Sequence, residues 1–117
     1  MNLKNLNNIA IQMVQKGKGI LAADESNPTC KKRFDSINVE STEQNRNKYR
    51  DMLFTTTGME EFISGVILFD ETLRQTTMKD NTPYPEFLKS IGVIPGIKVD
   101  KGAHLLPGSD IESITAG

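Results

Sequence analysis

The chain has 117 residues, an apolar fraction of 37% and a formal net charge of −1, which allows one ordinary domain with a workable core. Because acidic and basic residues are interspersed and nearly balanced, we expect no nucleic-acid partner, whose binding depends on a clustered basic surface. We also expect no membrane association, since apolar runs such as residues 64–69 are far shorter than the ~20 residues that span a bilayer.

The first two elements are predicted from a change in apolar spacing. Residues 2–16 carry apolar side chains at steps of three and four, which predicts an amphipathic helix. Glycines follow at positions 17 and 19, where a helix commonly ends. Residues 20–23 are continuously apolar, and this short run predicts a strand that is buried on both faces.

Two helices are predicted next along the chain. Asn27 in the N-cap position, with Pro28 as the first helical residue, indicates one helix start. Ser41 and Gln44 have the spacing of a capping box, and the helix that they begin should run to about residue 55. The side chains predicted to face the core from this helix are Tyr49, Met52 and Leu53.

The second half of the chain predicts two further strands. Residues 63–69 are rich in β-branched side chains and form the clearest strand, and residues 94–99 form a third, with Pro95 near its start. A short helix is expected between them at residues 86–90, whereas residues 101–117 show no period. Apolar strands that alternate with helices predict an α/β fold with parallel βαβ units.

The single cysteine and the single histidine suggest no metal chemistry. Cys30 has no second cysteine for a disulfide or a thiolate metal site. We therefore expect a reduced structural thiol and a cytoplasmic protein. His104 has no cluster of other ligands around it in the sequence, so it is assigned no role.

Charged residues follow each predicted strand. The residues at these three ends are, in chain order, Asp24 and Glu25, then Asp70 and Glu71, then Lys98, Asp100 and Lys101. Ligands in α/β folds bind at the carboxyl ends of strands, so these groups should converge on one pocket. For Asp70, Glu71 and Lys101, ordinary loop hydration explains the charge equally well. Asp24 and Lys98 lie beside apolar residues, where an unpaired charge is costly, which favours a functional role.

Two hydroxyl residues suggest a phosphate site. Ser26 and Thr29 lie where a helix should begin, next to the cations at residues 31–33. Free backbone N–H groups, hydroxyls and cations suit a phosphate monoester. Simple helix capping is the alternative, but the addition of Lys98 from a neighbouring strand favours phosphate binding. Neither of the glycine-rich nucleotide loops, GxGxxG and GxxxxGK[ST], occurs in the sequence.

Residues 17–26, which read Gly-Lys-Gly-Ile-Leu-Ala-Ala-Asp-Glu-Ser, resemble the first-strand signature of class I fructose-bisphosphate aldolases. Three further parts of the chain resemble that family in the same order: residues 32–46, 65–73 and 96–102. The resemblance implies a TIM (β/α)8 barrel, which needs roughly 250 residues. We therefore expect residues 1–117 to be a partial barrel domain: an N-terminal helix and the first three βα units, with the barrel incomplete.

The resemblance also implies an activity. Family members cleave fructose 1,6-bisphosphate reversibly to glycerone phosphate and glyceraldehyde 3-phosphate, in glycolysis and gluconeogenesis. They form a Schiff base on a lysine of a later strand, need neither metal nor other cofactor, and are commonly tetramers. That lysine would lie beyond Gly117, so we expect a phosphosugar substrate and a tetrameric homo-oligomer only for the complete chain, and no activity from this segment alone.

The resemblance assigns roles to particular residues. Asp24 and Lys98 match catalytic residues, the first moving protons and the second lining the active site. The residues matched to substrate or phosphate binding are Ser26, Thr29, Arg33, Arg46 and Lys98. The chain departs from the family pattern at residues 27–28 and 103–108. Another phosphosugar-binding TIM-barrel enzyme and a non-catalytic phosphate-binding module stay open as alternatives.

Overall fold

The structure is a computed structural model that describes residues 2–117. The helices are α1 (Leu3–Met13), α2 (Asn27–Asp35), α3 (Glu43–Phe54), α4 (Met59–Phe62), α5 (Asp70–Leu73) and α6 (Tyr84–Ser90). The strands are β1 (Gly19–Ala23), β2 (Ile63–Leu68), β3 (Ile94–Ile97), β4 (Ala103–Leu105) and β5 (Ser113–Thr115). The predicted α/β class, with helices and parallel strands, is confirmed.

The main sheet is parallel and has the strand order β1-β2-β3. Leu68 at the end of β2 pairs with Ala23 of β1 on one side and with Ile97 of β3 on the other. The carboxyl ends of all three strands therefore lie at one edge of the sheet. The backbone N–H of Lys98 donates to the carbonyl oxygen of Leu68 at 2.9 Å, so the pairing continues one residue beyond β3.

The core lies between the sheet and the helices α3 and α6. Phe54 of α3 meets Tyr84 of α6 edge to face, with ring centroids 5.2 Å apart. Leu88 of α6 joins them against Val66 and Leu68 of β2, and all five side chains are fully buried. Burying such a side chain contributes roughly 1.5–3 kcal/mol, so this cluster fixes α3 and α6 against the central strand.

The prediction that β1 is buried on both faces is wrong. Ile20 is 45% exposed, and Ala23 is the fully buried residue of the strand. Within residues 2–117, β1 pairs only with β2 and so forms an edge of the sheet. The apolar run correctly indicates a strand. Burial, however, requires other elements to cover both faces of that strand, and the residues of the run alone cannot show whether they do.

Helix α1 forms where predicted, yet none of its residues is buried. Its last turn is tied to β2, because the Ser64 hydroxyl donates to the Met13 carbonyl oxygen at 2.5 Å. A Cβ atom on Gly65 would lie 2.5 Å from the Met13 sulfur. Glycine at position 65 is therefore what allows the end of α1 to approach the middle of β2.

The predicted inner face of α3 is partly wrong. Met52 is 60% exposed, whereas the buried residues of the helix are Arg46, Arg50 and Phe54. These three residues recur at steps of four and so lie on one face of the helix. Two arginines can occupy a buried face because their guanidinium groups are hydrogen-bonded there.

Two helix starts differ from the predictions by one residue. Ser26, rather than Asn27, is the N-cap of α2, and Thr42 precedes α3 as its N-cap. The Thr42 hydroxyl oxygen accepts from the backbone N–H of Asn45 at 3.1 Å, so Thr42 takes the capping role that the sequence predicts for Ser41. The helices themselves lie where the sequence indicates.

The segment 101–117, for which no element was predicted, contains an antiparallel hairpin. Strands β4 and β5 pair from Ala103 opposite Thr115 to Leu105 opposite Ser113. Each strand has three residues, and all six are exposed. Strands this short and this exposed carry no alternation of apolar and polar residues that a sequence could display.

Candidate functional site

The structure brings Asp24 and Lys98 together from opposite sides of the central strand. The Lys98 ammonium nitrogen lies 3.4 Å from Oδ2 of Asp24 and 2.6 Å from Oδ2 of Asp100. Asp24 follows β1 and Lys98 follows β3, and both strands end beside the last residue of β2. The parallel register therefore explains how residues 74 positions apart come to share a hydrogen bond.

The carboxylates around Lys98 determine its protonation. The hydrogen bond to Asp100 is the main cause that raises the pKa of Lys98 above its usual range, and Asp24 adds to this effect. In return, Lys98 and the backbone N–H of Gly102 lower the pKa of Asp100. Lys98 is therefore a cation at neutral pH, suited to bind an anion and unsuited to act as a nucleophilic amine.

A cavity of about 620 Å³ opens beside this pair. Its lining comes from all three strand ends: Ser26 after β1, Phe69 and Asp70 after β2, and residues 98–102 after β3. The volume is in the range of small-molecule sites. Lys98 and Lys101 line the cavity together with Asp70 and Asp100, so the lining offers both cations for an anionic ligand and carboxylates for hydroxyl groups.

The hydroxyl groups of Ser26 and Thr29 lie 3.1 Å apart at the start of α2. Ser26 occupies the N-cap position without making a side-chain cap hydrogen bond. Its hydroxyl is hydrogen-bonded to that of Thr29 and not to the backbone of the helix, and Ser26 lines the cavity. Hydroxyls and free N–H groups at a helix start suit a phosphate group.

Arg33 lies outside the cavity lining and forms an ion pair with Glu25. Its guanidinium donates to Oε1 of Glu25 and lies 3.3 Å from the Tyr49 hydroxyl. The Arg33 side chain is 55% exposed, whereas that of Glu25 is 11% exposed. The Glu25 carboxylate therefore contacts side chains of both α2 and α3, and Arg33 is its more exposed partner.

Arg46 also lies outside the cavity lining, and its guanidinium is committed to other partners. Its Nε and Nη2 atoms each donate to one oxygen of Glu71 at 2.8 Å, and Nη1 donates to the Ser41 carbonyl oxygen at 2.7 Å. The hydrogen bonds from Arg46 lower the pKa of Glu71. This two-pronged pair ties α3 to the start of α5, directly after β2.

Sequence reasoning missed Arg50, which is fully buried. Its Nη2 donates to the Glu25 carbonyl oxygen at 2.6 Å and its Nε donates to the Ala23 carbonyl oxygen at 3.3 Å. Its Nη1 lies 3.2 Å from the sulfur of Cys30, which is a buried free thiol. Arginine is normally assigned to the surface, and only its four-residue spacing from Arg46 and Phe54 could have indicated otherwise.

A second cavity, of about 530 Å³, lies beside the first turn of α3 and includes Arg74 and Gln75. None of the predicted site residues lines it. Among residues 2–117, no group of three or more His, Cys, Asp or Glu side chains could hold a metal ion. No helix in that range is long and apolar enough to cross a membrane.

Comparison with known proteins gives consistent results. A family model described as fructose-bisphosphate aldolase class-I matches residues 5–117. The chain is 50% identical over its whole length to a probable fructose-bisphosphate aldolase class 1 of Xanthomonas axonopodis pv. citri, covering 35% of that protein. It is 55% identical over 114 residues, or 97% of its length, to fructose-bisphosphate aldolase 1 of Toxoplasma gondii, covering 31% of that protein.

A solved structure is also similar. It is the fructose-bisphosphate aldolase of Plasmodium falciparum in complex with TRAP and a small-molecule inhibitor. The TM-score is 0.89 at 52% identity, over 97% of this chain and 33% of that chain. The chain thus spans about a third of the length of the proteins that it matches.

Proposed function

Since the chain belongs to the class I fructose-bisphosphate aldolase family, we propose that the complete polypeptide that carries it is an aldolase, a carbon–carbon lyase. Its reaction is the reversible cleavage of fructose 1,6-bisphosphate to glycerone phosphate and glyceraldehyde 3-phosphate, in glycolysis and gluconeogenesis. The observation that carries this proposal is the contact of Asp24 with Lys98 beside a cavity that Ser26 also lines. A cytoplasmic homotetramer is part of the same proposal.

The proposed architecture is a (β/α)8 barrel, of which residues 1–117 are the N-terminal helix and the first three βα units. Three consecutive parallel strands in the order β1-β2-β3, with helices between them, support it. A barrel needs roughly 250 residues, so this domain would be partial. Family chemistry then takes place at the carboxyl ends of the strands, the edge at which Asp24 and Lys98 meet.

In the proposed mechanism, a lysine elsewhere in the complete polypeptide attacks the substrate ketone and forms an iminium ion. The iminium accepts the electron pair of the breaking carbon–carbon bond, so no metal or other cofactor is needed. Asp24 moves protons on the substrate in this proposal, a role supported by its carboxylate, which is 25% exposed and contacts the cavity-lining Lys98. The neighbouring Lys98 ammonium group stabilises the negative charge there.

Phosphate binding falls to the cationic and hydroxyl groups of the cavity. Protonated Lys98 and Ser26 line the cavity, and Thr29, which is outside the lining, has its hydroxyl 3.1 Å from that of Ser26. The assignment of Arg33 and Arg46 to bisphosphate binding stays a prediction. Arg33 has the more accessible guanidinium, since half of its side chain is exposed, whereas Arg46 would have to leave both oxygens of Glu71.

The proposal is tested by borohydride trapping in the complete polypeptide. With fructose 1,6-bisphosphate present, reduction should attach the substrate covalently to one lysine and abolish cleavage, and peptide mapping should place the adduct outside residues 1–117. A substrate adduct on Lys98 would contradict the binding role given to that cation. Binding of the phosphosugar without cleavage or adduct would favour a non-catalytic binding module or another enzyme of the same architecture.

A further inference from the structure

We propose that Arg50 is a positioning residue that holds residues 23–26, and through them the Asp24 carboxylate and the Ser26 hydroxyl, in the geometry that the reaction needs. This inference rests on the proposed aldolase function. It concerns a residue of α3 that does not line the cavity and that, within the described segment 2–117, hydrogen-bonds to no cavity-lining side chain.

The geometry of the contacts carries the proposal. Arg50 donates to the carbonyl oxygens of Ala23 and Glu25, which precede and follow Asp24 in the chain. Each carbonyl belongs to a rigid planar peptide unit. One guanidinium therefore fixes the peptide plane that leads into Asp24 and the plane that leads from Glu25 into Ser26.

Burial makes these hydrogen bonds obligatory. Arg50 is fully buried, and a buried cation is costly unless its donors are satisfied. Its other contacts are the Cys30 sulfur at 3.2 Å and Oε2 of Glu25 at 3.5 Å. A displacement of residues 23–26 would leave N–H groups of Arg50 without acceptors, and water cannot reach them. The guanidinium therefore opposes such a movement.

Helix α3 also holds the segment that follows β2, here through a side-chain carboxylate. Arg46, one turn before Arg50, grips the Glu71 carboxylate directly after β2. The two arginines lie on the buried face of α3, which Phe54 anchors in the core. Helix α3 thus sets the spacing between the ends of β1 and β2, both of which contribute lining to the cavity.

The positioning has a kinetic consequence. Misplacing a reacting group by about 1 Å can lower a rate on the order of 100-fold. We expect the loss of the Arg50 contacts to act mainly on the proton-transfer role of Asp24. Substrate binding should change less, because only the Ser26 hydroxyl would move among the proposed phosphate ligands, whereas the cation Lys98 is held by its own contact with Asp100.

The test compares Arg50→Met with Arg50→Lys in the complete polypeptide, with Lys48→Met as the matched control. Lys48 is an exposed cation on the same helix, α3. Assayed well below each melting temperature, Arg50→Met should lower kcat about 100-fold, with a smaller change in KM. Arg50→Lys should restore folding but not the rate, because one ammonium group cannot reproduce the planar guanidinium. Lys48→Met should behave as the wild type.

A folded Arg50→Met or Arg50→Lys protein with near-normal kcat would overturn the proposal. So would failure of both variants to fold, because Arg50 would then be a folding residue. Crystal structures of the wild type and of Arg50→Lys separate this inference from the aldolase proposal. If the wild type does not cleave fructose 1,6-bisphosphate, the proposed function fails, and an undisplaced segment 23–26 in the variant would then refute the positioning independently.

Discussion

The chain segments that follow β1 and β3, both of which contribute lining to the cavity, are held by different kinds of contact. Residues 23–26, which we call the β1 exit, are fixed from behind by the buried guanidinium of Arg50. Residues 98–102, the β3 exit, are held by backbone hydrogen bonds and by contacts among partly exposed charges, and both strands of the hairpin that follows are exposed. Exposed ion pairs are weak and screened by salt, whereas buried hydrogen-bonded charges tolerate little displacement.

This difference suggests a division of labour. The β1 exit carries the proposed proton-transfer group, Asp24, for which position is critical. The β3 exit carries the proposed phosphate ligand, Lys98, for which charge and reach suffice. We therefore expect substitutions of Asp24 to act mainly on kcat and those of Lys98 to act mainly on KM.

The largest expected effect is that of Asp24→Asn. Removing a general acid–base group costs on the order of 10²–10⁴ in rate, so kcat for fructose 1,6-bisphosphate should fall by that factor. The melting temperature should change little, because the pair with Lys98 is partly exposed. Initial rates and thermal melts of the complete polypeptide check this. Asp35→Asn, which alters an exposed acid of α2, is the control, and near-normal turnover of Asp24→Asn would refute the role.

At the β3 exit, Lys98→Met should raise KM about 10- to 100-fold, the usual cost of losing one charge-assisted hydrogen bond. Its kcat should fall less than that of Asp24→Asn. The wild type should also lose affinity as salt increases, and the variant should lose less. Lys89→Met, an exposed cation in the last turn of α6, serves as the control. An unchanged KM for Lys98→Met would contradict the phosphate role.

Arg33 and Arg46, which remain predicted substrate ligands, allow an exposed cation to be compared with a buried one. Arg33→Lys should raise KM about three- to tenfold, since its half-exposed guanidinium can be shared with a phosphate. Arg46→Lys should mainly lower the melting temperature, because lysine cannot hold both oxygens of Glu71. A KM increase for Arg46→Lys larger than that for Arg33→Lys would show that the buried pair opens for substrate.

The smallest expected effect is a pH dependence of stability at Glu71. Arg46 lowers the pKa of this carboxyl from its usual value of 4.5, so the pair stabilises the fold at higher pH. That stability should disappear as the pH falls below about 4.5 and Glu71 becomes protonated. Melting temperatures of the wild type and of Glu71→Gln should therefore converge in acid. A constant difference between them would contradict the linkage.

The strands of the main sheet and the charged residues that follow them could be predicted from the sequence because both depend on local composition. Residues 63–68 are apolar and β-branched and form the central strand, and the ionisable groups that follow the strands meet at one edge. The contact of Asp24 with Lys98 follows from that register alone.

The residues that hold the site could not be predicted in the same way. Arg50 is buried because carbonyl oxygens 25 or more positions away in sequence satisfy it, and no local pattern shows those partners. Met52 was assigned to the core as an apolar residue, although the arginines occupy that face. The exposure of β1 likewise depends on which strands lie beside it.

The most direct test is a crystal structure of the complete polypeptide with bound fructose 1,6-bisphosphate. The account predicts a substrate phosphate within hydrogen-bond distance of the Lys98 ammonium group and the Ser26 hydroxyl, with the Asp24 carboxylate against a substrate hydroxyl. Substrate bound in the other cavity, beside Arg74 and Gln75, with Asp24 and Lys98 touching only each other, would contradict it.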